Sequence, residues 1–473
     1  MNIPQTLRKA IAASLVLFLL FATCPVPASS FTIGEEKEIG ERLLYTVRSS
    51  FPIIDDPDLQ QYINGVGWEV LDVAGIQYFN YHFYIVESTQ FNAFAAPSGL
   101  IFFYTNLIES MNSEDELVSV IAHEIGHVVK RHIASRIKKG TIVSIASLGA
   151  ALAALALGGG ALSTGLFASS MAAGQSAQLY FSRQDEAEAD LLAYKWMKYL
   201  HRDTEGQKRM LQTMRRITRY RSEQVPQYLL THPDPEARLD YVESLIAADR
   251  DYHITADELK DFAFLRFKYR IMSLEKNSAP TKAFLTGKAG GDQASDFQQA
   301  MALYGLAQMD RQENNYTRAL SRLETVIQTF PDEWILQVDK ANILAENGDL
   351  QEARLILEPV SRRYPTDIYT VFSLAKVLSK LDRGEQALEL FRQVAKDMPE
   401  FSNVYFEMGK IMAAQGRKLE SRFYLGKFNL FEGKLKLAEA NFKQTAREAE
   451  QDSEIQQDSE DMLELIRRLN KQK

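Results

Sequence analysis

The sequence predicts a mainly α-helical chain in two folded parts: an α+β domain built on a small β-sheet, followed by an α-helical solenoid. Three observations predict it. Two short aromatic and β-branched runs, Tyr81-His-Phe-Tyr-Ile-Val86 and Leu100-Ile-Phe-Phe-Tyr-Thr105, read as strands meeting at the Pro97-Ser-Gly99 turn. Helical periodicity dominates elsewhere, and Pro331, Pro365 and Pro399 recur at one spacing in the C-terminal half. A length of 473 residues exceeds one ordinary core, and 46% apolar with 25% charged residues is the balance of a chain that folds. A net charge of −8 leaves no basic stripe to neutralise phosphates, so nucleic acid is not an expected partner.

Residues 1–28 read as an export signal. Arg8 and Lys9 precede an apolar stretch from Ala10 to Ala22, and Val26-Pro-Ala28 supplies small residues ahead of Ser29. Removing them takes the charge from −8 to −10, since two cations and no anions leave. It also removes Cys24, the single cysteine, so the exported form has no disulfide available. A lipid anchor on Cys24 is the alternative, against which Phe21-Ala-Thr-Cys24 lacks the usual aliphatic and small residues.

Further along, Ser113-Glu-Asp-Glu116 has the form of a capping box and predicts a helix from there to about Lys139. From Gly140 to Gly174 no charge occurs and Ala, Gly, Ser and Leu dominate. Alanine richness and the Gly158-Gly-Gly160 break argue for a helical hairpin packed on the protein rather than a membrane span of about 20 apolar residues. The alternative is a surface making peripheral contact with a membrane or substrate. Helical patterns then continue from Arg183 to about Arg250.

The C-terminal repeat has a 34-residue period. Ala319, Ala353 and Ala387 follow it with the prolines, and Leu323, Leu357 and Phe391 each lie four residues after an alanine. This is the period of tetratricopeptide repeats, in which a small residue lets two helices approach, a large one fills the groove and proline ends the second helix. Ser421 breaks the alanine row, and Gly426 with Ala438 starts a new phase, so a shared helix is expected near 418 to 431. Segments between about 254 and 295 read as a degenerate first unit or a connection, and the tail after Glu448 as a solvated cap.

Chemistry concentrates in His123-Glu-Ile-Gly-His127. At i and i+4 two imidazoles project from one helix face and can share a zinc ion, while Glu124 lies beside it as a candidate base. With seven histidines in the chain, this pentapeptide is expected by chance about 0.01 times. His132, in Lys130-Arg-His132, reads as part of a solvated helix face. A third ligand could come from Asp185-Glu-Ala-Glu-Ala-Asp190, where Glu186 and Asp190 share a face; read alone, the stretch fits an acidic first turn on a helix dipole better. In Thr231-His-Pro-Asp-Pro-Glu-Ala-Arg238 two prolines hold His232 on a stiff loop, where a lone histidine is ordinarily solvated.

Together, His123-Glu-Ile-Gly-His127, Ser182-Arg183, Glu186 with Asp190, and Asn92-Ala-Phe-Ala-Ala-Pro-Ser-Gly99 resemble the zinc peptidases related to the CaaX prenyl protease. The resemblance implies a gluzincin-type α+β metallopeptidase domain over 29–252 and a repeat domain over 253–473. It implies one zinc ion per chain held by His123, His127 and Glu186, with Glu124 as base and Asp190 supporting a ligand. Asn92, Ala93, Phe94 and Ala95 would belong to an edge strand that pairs with extended substrate. His232 would lie near the zinc, as an inhibitory ligand or an oxyanion helper, and Arg238 would be supportive. Ser98 stands where relatives usually carry a second glycine.

With the export signal and repeats, the chain is similar to periplasmic members of that family in Gram-negative bacteria. That implies hydrolysis of misfolded or stalled outer-membrane β-barrel proteins, a chaperone role, and binding to the β-barrel assembly machinery through the repeats. The competing reading is a tetratricopeptide-repeat chaperone or adaptor with a structural or latent zinc site.

Overall fold

The computed structural model describes residues 32–138, 181–220, 228, 231–249, 251, 252, 254, 261–275, 278–291 and 294–470. The expected signal at 1–28 and the uncharged stretch at 140–174 lie outside the described residues. Helix α1 (Ile33–Ser50) opens on a capping box between Thr32 and Glu35, and α2 (Pro57–Ala74) on Asp56, whose carboxylate accepts from the amides of Asp58 and Leu59.

Three strands follow: β1 (His82–Val86), β2 (Ala93–Ala96) and β3 (Leu100–Tyr104). Their order is β1-β3-β2, with β3 parallel to β1 and antiparallel to β2. Side-chain alternation divides the sheet between two cores. Phe83, Ile85, Ala93, Ala95, Ile101 and Phe103 face α2 and the helices beyond. Tyr84, Val86, Phe94, Phe102 and Tyr104 face Leu43 and Val47 of α1. In the turn between β2 and β3, Ser98 has φ 69°, the left-handed region in which glycine is the default. The turn packs so closely on α1 that a Cβ on Gly40 would lie 2.1 Å from Ser98 Cβ.

After α3 (Thr105–Ser110), α4 (Glu114–Val129) carries the histidine motif through the middle of the domain, buried from Glu116 to Val128. Two expectations are corrected here. The Ser113 hydroxyl makes no cap bond, and the Glu116 carboxylate instead accepts from the Asn112 amide at 3.0 Å. The helix also stops at Val129 instead of running to Lys139. Arg131 turns left-handed (φ 53°), binds Glu36 of α1 through Nε at 2.9 Å, and redirects the chain into α5 (His132–Lys138). A contact between helices far apart in sequence thus ends a segment whose local pattern continues.

Helices α6 (Arg183–Tyr199), α7 (Glu205–Tyr220) and α8 (Pro235–Ala248) complete this half. Helix α9 (Asp261–Ser273) then serves both halves. Phe264, Phe267 and Ile271 belong to the core around the sheet, whereas Phe262, Tyr269 and Met272 pack with the first repeat helices.

The remainder is a helical array: α10 (Ala279–Ala289), α11 (Asp296–Gln312), α12 (Tyr316–Thr329), α13 (Ile335–Asn347), α14 (Leu350–Arg363), α15 (Ile368–Lys380), α16 (Gly384–Asp397), α17 (Ser402–Ala414), α18 (Lys418–Phe431), α19 (Leu435–Glu448) and α20 (Glu454–Asn470). The 34-residue period has a direct physical counterpart. Phe330, Tyr364 and Met398 end α12, α14 and α16 with nearly identical φ and ψ, and each precedes a proline that bars further helix. Ala319, Ala353, Ala387, Leu323, Leu357 and Phe391 are fully buried. Helix α18 packs closely on both sides, through Ser421 against Gly409 and through Gly426 against the Phe442 ring, as the phase change at 418–431 predicts. The tail differs from the solvated cap expected: α20 buries Leu463 and Ile466 against α19.

A buried charge cluster fastens the array to the first half. Asp339 of α13 accepts from Arg266 Nε at 3.0 Å, Arg270 at 3.1 Å and the Tyr369 hydroxyl at 2.9 Å; the same arginines reach Asp58 and Asp56 at the start of α2. Burial would push the Asp339 carboxyl up, but the two guanidiniums hold it below its ordinary range. Asp339→Ala is expected to cost about 3–5 kcal/mol in denaturant unfolding, because it removes one of the two carboxylates that the buried guanidiniums share and leaves their charge under-compensated by Asp58 and Asp56.

Candidate metal centre

Helices α4 and α6 set the ligand geometry through their close approach. Gly126 lies over Ala189, and a Cβ there would be 3.1 Å from Ala189 Cα, so only glycine lets the backbones meet without displacement. One turn from each of these residues lie His123 on α4 and Glu186 on α6. His123 Nε2 and His127 Nε2 are 3.0 Å apart; Glu186 oxygens stand 3.5 Å from the first and 3.4 Å from the second. His232 joins them, with Nδ1 3.2 Å from Glu186 and 3.5 Å from His123 Nε2.

The solvated-loop expectation for His232 therefore fails. The residue is completely buried, its ring stacked on Tyr228 at 4.5 Å, and Pro235 with the left-handed Asp234 starts α8 immediately after it. These donors are spaced like the corners of a tetrahedron around one ion: bond lengths of about 2.0–2.1 Å give edges of roughly 3.4 Å.

Two further features fit a cation. Both Glu124 oxygens and His232 Nε2 are buried without a hydrogen-bond partner among the described residues. Three carboxylates, on Glu124, Glu186 and Asp190, are buried here, and Arg238 pairs with the last two. Burial and Arg238 pull His123 down, yet Asp190 and Glu186 raise it to about 9, so a protonated imidazole shares in balancing them, a charge that a divalent ion would replace. His123, His127, Glu186 and His232 are the group that could hold the metal. Glu124 lies beside it, with Oε1 3.4 Å from His232 Nε2.

The supporting shell aims each imidazole. Asp190 Oδ1 is 2.9 Å from His123 Nδ1, which turns Nε2 inward. Arg238 clamps Asp190 with two bonds of 2.8 Å, lies 3.0 Å from Glu186 Oε2 and donates to the Tyr228 hydroxyl at 2.9 Å. Burial alone would raise the Asp190 carboxyl, but Arg238 and His123 bring it down to about 2. Glu186 is likewise held well below the carboxylate range by His232 and Arg238, against the effect of burial. Burial holds His127 well below the usual imidazole range, so it is neutral and its Nε2 lone pair is free for a metal.

His132 overturns the solvated-face expectation. It is 6% exposed, and its Nδ1 lies 2.9 Å from His127 Nδ1, performing for His127 what Asp190 does for His123. Phe181 stacks on the His127 ring at 3.9 Å. Neither partner was identifiable beforehand: His132 is brought inward by the break at Arg131, and Phe181 through its amide bond to the Thr231 carbonyl. The Asn92–Ala95 stretch enters β2, the outer strand of the sheet; Ala93–Ala96 are 0–5% exposed.

Comparison with known proteins agrees with this geometry. Residues 57–246 match the model of peptidase family M48, and residues 310–370 match a tetratricopeptide-repeat model. The chain is similar to the beta-barrel assembly-enhancing protease of Escherichia coli, 28% identical over 67% of this chain and 65% of that protein. The protein of the same name from Yersinia pestis is 28% identical over 72% of this chain and 76% of its own length. Mitochondrial metalloendopeptidase OMA1 of Schizosaccharomyces pombe is 27% identical over 41% of this chain and 56% of its own. Thus the chain spans slightly under two thirds of the Escherichia coli relative. Among the described residues, no helix is long and apolar enough to cross a membrane. The four buried donors all lie within the stretch that matches the model of peptidase family M48, and the tetratricopeptide-repeat match falls within the helical array behind it.

Proposed function

We propose that this chain is a zinc-dependent endopeptidase, with a metallopeptidase domain over 29–252 and a repeat domain over 253–473. The observation that carries the reading is the convergence of His123, His127, Glu186 and an unpartnered Glu124 in one buried site. His123, His127 and Glu186 would hold one zinc ion per chain. When bound, zinc lowers the pKa of a water molecule and polarises the scissile carbonyl.

The chain's own groups do the rest. Glu124 accepts the proton of the attacking water and delivers it to the amide nitrogen as the C–N bond breaks and the new C–O bond forms. Asp190, clamped by Arg238, keeps His123 Nε2 directed at the site, and His132 does the same for His127. Extended substrate would pair its backbone along β2 near Asn92, Ala93, Phe94 and Ala95, which requires uncovering a strand that is 0–5% exposed here.

His232 supports latency over oxyanion stabilisation. Its Nδ1 stands among the three ligand atoms, where it would take the place that a water needs. The same observation favours a second reading, a repeat-based chaperone or adaptor whose zinc site is closed.

The name that two relatives share, beta-barrel assembly-enhancing protease, supports a role in quality control of outer-membrane β-barrel assembly, and the export signal read at 1–28 supports a periplasmic one. Misfolded or stalled outer-membrane proteins would then be the clients, and the repeats would contact the assembly machinery. The uncharged 140–174 segment would supply any peripheral membrane contact.

Glu124→Gln separates enzyme from adaptor. It is expected to keep zinc by metal analysis and lower the cleavage of unfolded protein about 10²–10⁴-fold; unchanged cleavage would sink the mechanism. His232→Ala should raise proteolysis with zinc retained, whereas a fall would assign the oxyanion role. Arg238→Ala should weaken zinc binding by about 10–100-fold in a chelator competition, since Asp190 loses the clamp that aims His123.

A further inference from the structure

A second recess lies away from the metal centre, at the seam between the two halves. It measures about 370 Å³ and is walled by one face of α2, by β1 and by the turn from Asp397 to Phe401 that leads into α17. On α2, Asn64, Gly65 and Trp68 line it, as do His82 and Tyr84 at alternate positions of β1. No residue of the metal centre does.

The wall has uncompensated polarity of two kinds. Asp55, Asp397 and Glu400 supply carboxylates against Arg48 and His82. Tyr84, Arg48 and His82 all approach Glu400 at Oε2, which leaves Oε1 for another donor. Burial pushes the Asp55 carboxyl up to about 6, even though Ser402 and Arg48 pull it down. Its charge is thus held at a cost that a cation would offset. Conversely, Arg48 Nε is a buried donor with no hydrogen-bond partner; the terminal nitrogens of Arg48 go to Glu400 and the Phe431 carbonyl. The guanidinium side chain is 9% exposed. At the rim, the indole of Trp68 is 48% exposed.

We propose that this recess is a second binding site that takes an extended peptide segment presenting a lysine or arginine side chain. The cationic group answers the carboxylates, and the aliphatic stem lies on Trp68 at the rim with a cation–π contribution. A metal ion would satisfy the carboxylates and leave the exposed face of Trp68 unused, so a lysine or arginine side chain fits the wall better. The volume suits one side chain with its flanking backbone. The inference does not depend on the peptidase reading, because a chaperone would use the same recess.

Gly65 permits a clean test. It lies on an exposed turn of α2, and a Cβ there meets nothing within 4 Å, so larger side chains enter the recess without disturbing packing. The test measures fluorescence anisotropy of a dye-labelled Ala-Leu-Lys-Leu-Ala peptide on the full chain carrying Glu124→Gln, which keeps the peptide intact. Saturable binding is expected, with at least about tenfold loss when norleucine replaces the lysine. Adding Gly65→Leu should cause a similar loss at an unchanged melting temperature, and Gly65→Ala should retain binding. Trp68→Ala, at an exposed side chain, should weaken binding severalfold. Absence of saturable binding, equal affinity for the norleucine peptide, or full affinity in both Gly65→Leu and Trp68→Ala would overturn the proposal.

Discussion

The site depends on keeping an excess of buried carboxylates in place inside a dry domain. Glu124, Glu186 and Asp190 are within 1% of fully buried, and one guanidinium lies among them. Charges so placed cost several kcal/mol each unless they are paired and hydrogen-bonded. Arg238 meets part of that demand by clamping Asp190 and approaching Glu186. Against burial and Arg238, Asp190 and Glu186 raise His123 to about 9, and its proton meets part of the rest, the charge that a divalent ion would replace. Because the same Arg238 also binds the Tyr228 hydroxyl, and Tyr228 stacks on His232, the loop before α8 is tied to the charge balance of the centre.

What could be read from the sequence was what helical spacing determines. His123 and His127 had to share a face, as did Glu186 and Asp190, and the alanine and proline rows had to recur in a stacked array. What could not be read was whatever long-range packing decides. Lys130 and Arg131 carry no helix-breaking chemistry, yet the ion pair between Arg131 and Glu36 ends α4 and brings His132 inside. The Ser113 box matched its pattern, but the Glu116 carboxylate found the Asn112 amide first. Asp339, Arg266 and Arg270 look like solvated helix positions until α2 is laid against them. Charged residues are misleading in this way because their burial depends on partners about 70 to 210 residues distant.

The repeat array is not a free-standing scaffold. Asp339 and Tyr369 engage α2 through the arginines of α9, Gln61 donates to Asp367, and Ser402 and Asn403 grip Asp55. Further on, Tyr45 of α1 packs with Phe423 and Leu430, and the Arg48 guanidinium reaches the end of α18. Part of the repeat surface therefore faces the chain's own first half. Surface available to other proteins lies elsewhere, including the aromatic pair Phe406 and Phe428 between α17 and α18.

Helix α9 lends one flank to each core, so neither core is complete without it. Dividing the chain on either side of this helix would bare a row of phenylalanines on one fragment and leave a hollow in the other. The two halves should accordingly melt together, and evolution has little freedom to exchange one without recasting this hinge-pin.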